Sequence, residues 1–310
     1  GAARSGVFLG WLDAGPAPEM LAAEVARAFD VFESVGGNDG RMLVTGYFEP
    51  IVDGSSTPSP VYRTPLYRPP GGAIKVDLGR FGERFAGEKL VGRLEDDQLV
   101  PFPTRGEIRQ GGVYRGREIA WLRDPIDAFF LEIQGSGTVR LPGGGELRLG
   151  YAAANGRPYR SIGKLLVDEG KIPREKVSMQ SIRAWLEANP GELERVFDYN
   201  ESTVFFRRLD GPAQGSLGVP VTAGRSIATD RNLFPPGALG FLISEVPKHG
   251  ADGATAVERP LVRFVLNQDT GGAIRGAGRV DFFWGRGAEA GEKAGLMKQP
   301  GRLFFLVPRG

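Results

Sequence analysis

Glycine and proline punctuate this chain throughout: of 310 residues, 47 are Gly and 23 are Pro, together more than a fifth of the sequence. They follow no fixed period. That sets aside collagen-like and repeat architectures and leaves turns in a β-rich protein. At this length the chain can bury one large core or two moderate ones, and two is the better expectation.

Apolar periodicity between the breaks supplies the elements. Residues 17 to 36 carry Met20, Leu21, Val25, Ala28, Phe29 and Phe32 at helical spacing, with Gly36-Gly37 as the stop. Residues 42 to 49 read as a strand ended by Pro50. A turn-rich passage follows, with Asp53-Gly54-Ser55-Ser56 and later Pro69-Pro70-Gly71-Gly72, and marks the exit from one domain into another. Residues 128 to 134 read as a strand, with Phe129, Leu131 and Ile133 on one face and Phe130, Glu132 and Gln134 on the other. Residues 138 to 141 and 146 to 149 flank Pro142-Gly143-Gly144-Gly145, a hairpin signal. Two helices are expected next, one over about 161–169 and one after Pro173 that runs to Asn189-Pro190. Beyond Asp210-Gly211-Pro212, short strands at 218–222, 239–243, 261–266 and 302–307, with one helix over 287–297, point to a β-barrel.

Charge and composition narrow the chemistry. The formal charge is +2, from 39 basic and 37 acidic residues with no Lys/Arg block, so nucleic acid is not expected as a partner. There is no cysteine, which removes disulfides and Cys-zinc sites. The single histidine, His249, sits in Lys248-His249-Gly250 and reads as a surface turn, which disfavours Ser-His-Asp catalysis and multi-His metal sites. No stretch has the length and apolarity of a membrane span, and no signal peptide is seen. The opening Gly1-Ala2-Ala3-Arg4 reads as a mature or trimmed start.

One segment stands out chemically. Asp269 ends an apolar run, Asp281 enters another between Val280 and Phe282-Phe283-Trp284, and glycine-rich chain joins them. A carboxyl group that has lost water either finds a strong partner or keeps its proton near neutrality. The second outcome is what acid catalysis on a glycosidic bond requires. Free Asp titrates near ~3.9, so a useful acid population near neutrality needs a rise of roughly 2 units, worth about 3 kcal/mol. Asp269, if ionised and close, would push the same way; otherwise it accepts backbone N–H groups and orders the glycine loop.

Other candidates have plain alternatives. Gly271-Gly272-Ala273-Ile274-Arg275-Gly276 lacks the ending and spacing of a phosphate loop and reads as tight turns. Gln134-Gly135-Ser136-Gly137 is no nucleophile elbow but is a polar loop able to approach a sugar. Glu49 and Glu132 are alternative acids, although exposed or paired carboxylates are far commoner than catalytic ones. Trp284, Tyr47 and Tyr151 are candidate sugar-stacking rings, with core packing as the default for an aromatic.

Several motifs together resemble the membrane-bound lytic murein transglycosylase A family. They include Thr45-Gly46-Tyr47-Phe48-Glu49-Pro50, Glu132-Ile133-Gln134-Gly135-Ser136-Gly137, the run from Gly150-Tyr151 through Lys164, Ala223-Gly224-Arg225-Ser226-Ile227-Ala228, and the stretch from Asp269 to Gly285. They run in order from about residue 41 to the C-terminus. The resemblance implies a mainly β fold with few helices: a double-psi β-barrel from residues 1–50 and 211–310, with an inserted β-rich domain at 51–210. A groove between the two would hold the glycan strand.

The resemblance further implies cleavage of the β-1,4 bond between N-acetylmuramic acid and N-acetylglucosamine without water, giving 1,6-anhydromuramoyl ends. Asp281 falls on the catalytic aspartate and Asp269 on the other aspartate of the pair. Thr45, Gly46 and Tyr47 would line the groove, with Glu49, Gln134, Gly135, Ser136, Tyr151 and Trp284 as further substrate contacts. No metal or organic cofactor is implied. Peptidoglycan is the implied partner, with cell-wall synthesis or scaffold proteins beside it. The implied location is the periplasm of a Gram-negative bacterium, in association with the outer membrane through a lipid anchor on the precursor. A hydrolytic glycosidase on the same barrel, with Glu49 or Glu132 as second carboxylate, and a non-catalytic murein-binding scaffold are the alternatives.

Overall fold

A computed structural model describes residues 17–36, 40–250 and 255–309. Six strands close into a ring. Met42–Glu49 runs parallel to Arg279–Arg286, which pairs antiparallel with the short strand Ser226–Ala228. That strand runs parallel to Thr255–Asp269, and Thr255–Asp269 forms a long antiparallel hairpin with Leu239–His249. Lys298–Pro308 pairs with Leu239–His249 and then with Met42–Glu49, which closes the barrel. This is the barrel of the double-psi fold.

Alternation along the strands fills its interior. Met42 and Val44, Val280 and Phe282, Val265, Leu242 and Leu303 point inward and are almost fully buried, while Thr45 and Asp281 face outward. A fully buried Val, Leu or Phe contributes about 1.5–3 kcal/mol. The interior, rather than the glycine loops, therefore fixes the position of each outward residue. The helix Gly287–Leu296 covers the barrel where Phe48, Ala290 and Ala294 pack together.

Between the barrel segments the chain builds a second sheet. Its order is Val204–Arg208, Glu146–Ala154, Gly137–Arg140, Ile51–Ser55, Glu118–Leu122, Thr64–Tyr67. The helix Pro125–Gln134 lies across it, giving Ala128 and Leu131 to the sheet core. Its Ile126, Phe129 and Phe130 enter a helical cluster with Ile162, Leu186 and Phe197, and Phe129 stacks on Phe197 at 4.6 Å. A three-stranded meander, Ile74–Asp77, Lys89–Glu95 and Gln98–Pro101, stands apart from both sheets.

The structure corrects several local expectations. Residues 128–134 are helical rather than extended. Asp124 caps the helix by accepting the Ile126 N–H at 2.8 Å, Pro125 occupies its first turn, and Gly135 ends it in the left-handed conformation. The expected helix over 17–36 spans only Pro18–Ala28. Phe29–Glu33 instead pairs antiparallel with the C-terminal strand, Phe29 opposite Pro308 and Glu33 opposite Phe304. Phe29, Val31 and Phe32 suit a strand and find an edge there, and pairing overrides the helical spacing; Gly37, named above as the stop, lies outside the described residues. Asp53-Gly54-Ser55 is strand rather than turn. The 218–222 segment makes only a single bridge, Gln214 to Pro220. His249 ends a strand, with Nε2 3.8 Å from Glu292. Helices number seven among the described residues, and most of them belong to the 51–210 portion.

Candidate active site

Strand register brings the two aspartates to one place. Asp281 lies opposite Thr45 on one neighbouring strand and opposite Ala228 on the other. Ala228 in turn lies opposite Asp269. Adjacent strands are about 4.8 Å apart, so the two aspartate backbones stand roughly 10 Å apart, with Ala228 on the strand between them. A bulge makes this possible. Ile227 pairs with Asn267, but Ala228 pairs with Asp269 and skips Gln268, which re-aims Asp269.

Asp281 Oδ1 accepts a 2.7 Å hydrogen bond from the Thr45 hydroxyl. The same hydroxyl oxygen accepts from Arg279 Nη2 at 3.3 Å. Arg279 and Asp281 are two residues apart on one strand and therefore share its outward face. Arg279 Nε is buried and has no hydrogen-bond partner. Burial of the Asp281 carboxyl pushes its pKa up to about 6; the Thr45 hydrogen bond and the Arg279 charge oppose the rise, and Asp269 adds to it. The residue keeps part of its surface open to solvent even though the carboxyl itself is held among buried groups.

Asp269 Oδ1 accepts from the backbone N–H of Thr270 at 2.8 Å and of Ser216 at 2.9 Å. Burial raises its pKa, and these N–H groups hold the rise back. Asp269 thus does both things the sequence left open: it ties down loop backbone and adds negative field at Asp281. Tyr47 packs on Phe283 with ring centroids 5.0 Å apart. Its hydroxyl is buried without a well-formed hydrogen bond, and burial together with the fields of Asp269 and Asp281 raises its pKa well above the usual value.

The remaining candidates divide. Gly46 is required by close approach: a Cβ there would meet Trp284 Cδ1 at 2.7 Å and Ala294 Cα at 2.8 Å. Trp284 is on the opposite face of its strand from Asp281; it packs edge-on against Phe282 and donates its indole N–H to the Met297 sulfur at 3.1 Å. Glu49 is buried and accepts from Thr138 Oγ1 at 2.7 Å, with Arg286 at 3.9 Å. Glu132 is held by both Arg105 nitrogens at 3.0 Å and by the Val204 N–H at 3.0 Å. Gln134 accepts the Phe48 N–H at 3.1 Å and so links the second sheet's helix to the barrel. Gly135, with φ of 76°, has Tyr151 Cβ 3.9 Å from where its own Cβ would lie; Ser136 follows, half-buried, and Tyr151 is exposed.

A cavity of about 430 Å³ lies between the barrel and the helical cluster and is lined by Thr45, Gly46, Arg279, Gln134 and Tyr159 among others. Asp281 does not itself line it, but Thr45 and Arg279, which both act on Asp281, form part of its wall. Arg279 and Ala228 were not anticipated. A basic residue two positions before Asp281 was the available signal for the first; the second depends on cross-strand register, which leaves no local trace. Among the described residues, no three His, Cys, Asp or Glu side chains gather as a metal would require.

Two family profiles match the chain, and the first of them takes in residues 43–49 of the barrel strand Met42–Glu49. The family profile described as "MltA specific insert domain" matches residues 43–207, and the one described as "3D domain" matches 225–307. A Vibrio cholerae protein named membrane-bound lytic murein transglycosylase A is 34% identical over 278 residues, 88% of this chain and 67% of its own length. Its Escherichia coli namesake is 33% identical over 272 residues, 87% of this chain and 66% of its own length. The chain thus spans about two thirds of these curated relatives. A solved membrane-bound lytic murein transglycosylase from Agrobacterium tumefaciens superposes with a TM-score of 0.81 at 34% identity, covering 95% of this chain and 80% of that one. E. coli MltA with bound chitohexaose superposes with a TM-score of 0.78 at 30% identity, covering 100% and 84%.

Proposed function

This chain belongs to the membrane-bound lytic murein transglycosylase A family, and we propose that it cleaves murein glycan by lytic transglycosylation with Asp281 as the proton carrier. The observation that carries this reading is the Asp281 carboxyl itself: buried, raised to about 6, and held at one oxygen by Thr45. Near neutrality a useful fraction is protonated, and the residue accepts its proton back readily.

In the proposed reaction, protonated Asp281 donates to the oxygen of the β-1,4 bond between N-acetylmuramic acid and N-acetylglucosamine. The substrate's own N-acetyl oxygen stabilises the sugar cation at C1. Asp281, now a carboxylate, takes the proton of the C6 hydroxyl, and that oxygen closes on C1 to give a 1,6-anhydromuramoyl end. Thr45 and Arg279 stabilise the carboxylate between the two steps, and Asp269 raises its affinity for the proton. One group thus serves as acid and then base, where hydrolytic glycosidases use two carboxylates. Glu49 and Glu132 are each engaged by their own donors, which weighs against either as the second carboxylate of a hydrolase.

Residues 1–50 and 211–310 form the catalytic barrel in this reading, and 51–210 the opposite wall of the glycan groove. Tyr47, Gln134, Gly135, Ser136 and Tyr151 contact the glycan in this reading; Gly46 and Trp284 contribute by packing the barrel wall behind Thr45. E. coli MltA was solved with chitohexaose, and a murein glycan strand is the ligand proposed here. The relatives are named membrane-bound; no helix among the described residues is long and apolar enough to cross a membrane. We place the enzyme in the periplasm of a Gram-negative bacterium, associated with the outer membrane.

Digestion of murein sacculi followed by mass spectrometry tests the reading. The parent should release anhydromuropeptides, each one water lighter than a hydrolysis product, and Asp281→Asn should release none while still binding glycan. Hydrolysis-mass products, or substantial activity in the variant, would refute it.

A further inference from the structure

Alternation along the barrel strands leaves one apolar face outside the core. Leu242, Leu261, Val265 and Leu303 fill the interior, so the residues between them point outward. Cross-strand pairing sets Leu239 beside Leu266, Phe241 beside Phe264 and Ile243 beside Val262 on that outer face. The rings of Phe241 and Phe264 meet edge-on at 4.9 Å, and Phe304 lies opposite Phe241 on the next strand. None of these side chains belongs to a core cluster, and Val262 and Leu266 are 51% and 39% exposed. Leu217, 40% exposed, continues the apolar surface beside Gly237. A contiguous apolar surface of this kind marks a place where something docks.

The charge along its edge says what kind of partner fits. Arg259 has Glu258 at 3.8 Å, and Arg302, whose guanidinium stacks over Phe304 at 4.8 Å, is held by both oxygens of Glu33. Arg225 and Arg263 are different: neither makes an ion pair among the described residues. Arg225 donates to the Phe264 carbonyl at 3.2 Å, and the Arg263 guanidinium lies against Gly224, where a Cβ would stand 2.6 Å from its Nη1. Burial and the fields of Arg225 and Arg259 hold the Arg263 pKa below the usual arginine value. An apolar sheet face bordered by two uncompensated cations calls for a partner that offers apolar depth and negative charge in one plane. A bilayer with anionic headgroups has both.

The order of strands around the ring gives the face a direction. Thr255–Asp269 and Leu239–His249 stand across the barrel from Met42–Glu49 and Arg279–Arg286, which carry Thr45 and Asp281. We propose that the outer face of the 239–269 hairpin docks on an anionic lipid surface, with Val262, Phe264 and Leu266 entering the headgroup layer and Arg225 and Arg263 meeting lipid phosphates. The proposal rests on the membrane association stated above and not on the catalytic assignment. A chain seated in this way turns Asp281 and its cleft away from the bilayer and toward the glycan.

Flotation with liposomes tests it, comparing vesicles of phosphatidylcholine alone with vesicles of phosphatidylcholine mixed with phosphatidylglycerol. The parent should partition onto the mixed vesicles much more strongly than onto the neutral ones, and added salt should shrink the difference. Arg225→Gln and Arg263→Gln should each lower the partition coefficient on mixed vesicles about five-fold, the usual scale for one cation at an anionic surface. The double variant Val262→Gln/Leu266→Gln should lower it about ten-fold. All three should digest soluble murein strands at the parent rate, which shows that they fold. Equal partition of the parent onto both vesicles, no partition at all, or variants that bind as the parent does would overturn the proposal. So would a parent dimer in sedimentation velocity that the Val262→Gln/Leu266→Gln variant dissolves, since a second copy would then be the occupant. Hydrolysis-mass products in the digests would count against the transglycosylase reading and leave the vesicle result to stand alone.

Discussion

Asp281→Asn should stabilise the protein at neutral pH while abolishing its reaction. The unfolded carboxyl titrates near 3.8 and the folded one at about 6. Between those values the folded state binds more protons than the unfolded state, so stability falls as pH rises through the window. Below 3.8 both states are protonated and the cost vanishes; above 6 it is fully present. Each pKa unit is worth about 1.4 kcal/mol, so the ionised side chain costs the fold about 3 kcal/mol at pH 7.5 and about half as much at pH 5.

Asparagine carries no charge to desolvate and keeps an oxygen to accept from Thr45. It should recover most of that cost. Urea unfolding of parent and variant at pH 4, 5, 6 and 7.5 measures the difference directly. The expected curve is near zero at pH 4, rises through pH 5 and levels off above pH 7. A variant less stable than the parent at pH 7.5, or a difference that does not change with pH, would mean that desolvation does not govern Asp281.

Two substitutions should move the pH dependence of activity in opposite directions. Thr45→Val removes the hydrogen bond that lowers the Asp281 pKa, so the alkaline limb of the kcat/KM profile should shift to higher pH; Asp269→Asn removes a charge that raises it, and the limb should shift to lower pH. Glu132→Ala leaves Arg105, whose side chain is only 10% exposed, without its carboxylate, and should cost about 3 kcal/mol in thermal or chemical unfolding while the product stays anhydro-terminated. Gly46→Ala forces a methyl group against Trp284 and the 287–296 helix and should cost about 1–3 kcal/mol, read by urea unfolding.

Much of the barrel was legible because its strands are one-sided. Met42–Glu49 and Lys298–Pro308 each face a packed interior on one side, and alternation in the sequence records that. The 128–134 segment misled because Phe129, Phe130 and Leu131 are all buried, two against other helices and one against the sheet, so its apolar run carries no single period. Asp124-Pro125 and Gly135 were the better guides, since they report helix ends whatever the run between them packs against. The burial of the Asp281 carboxyl was legible from its immediate neighbours. Its relation to Asp269 was not, because it depends on Ala228, more than forty residues earlier in the chain, and on a bulge that drops Gln268 from the pairing. Arg279 was overlooked for a similar reason: its role depends on Thr45, which only the parallel pairing of the two strands brings beside Asp281.

The strand that carries Asp281 is anchored by Val280 and Phe282 on either side, both fully buried. A carboxyl mounted in this way cannot travel between two reacting oxygens several bonds apart. In the proposed reaction the movement must come from the sugar. For the C6 oxygen to close on C1, the muramoyl ring has to invert so that the C1 and C5 substituents stand axial on one face. The groove walls must therefore hold the neighbouring residues of the glycan firmly while leaving this one ring free to pucker over a stationary aspartate.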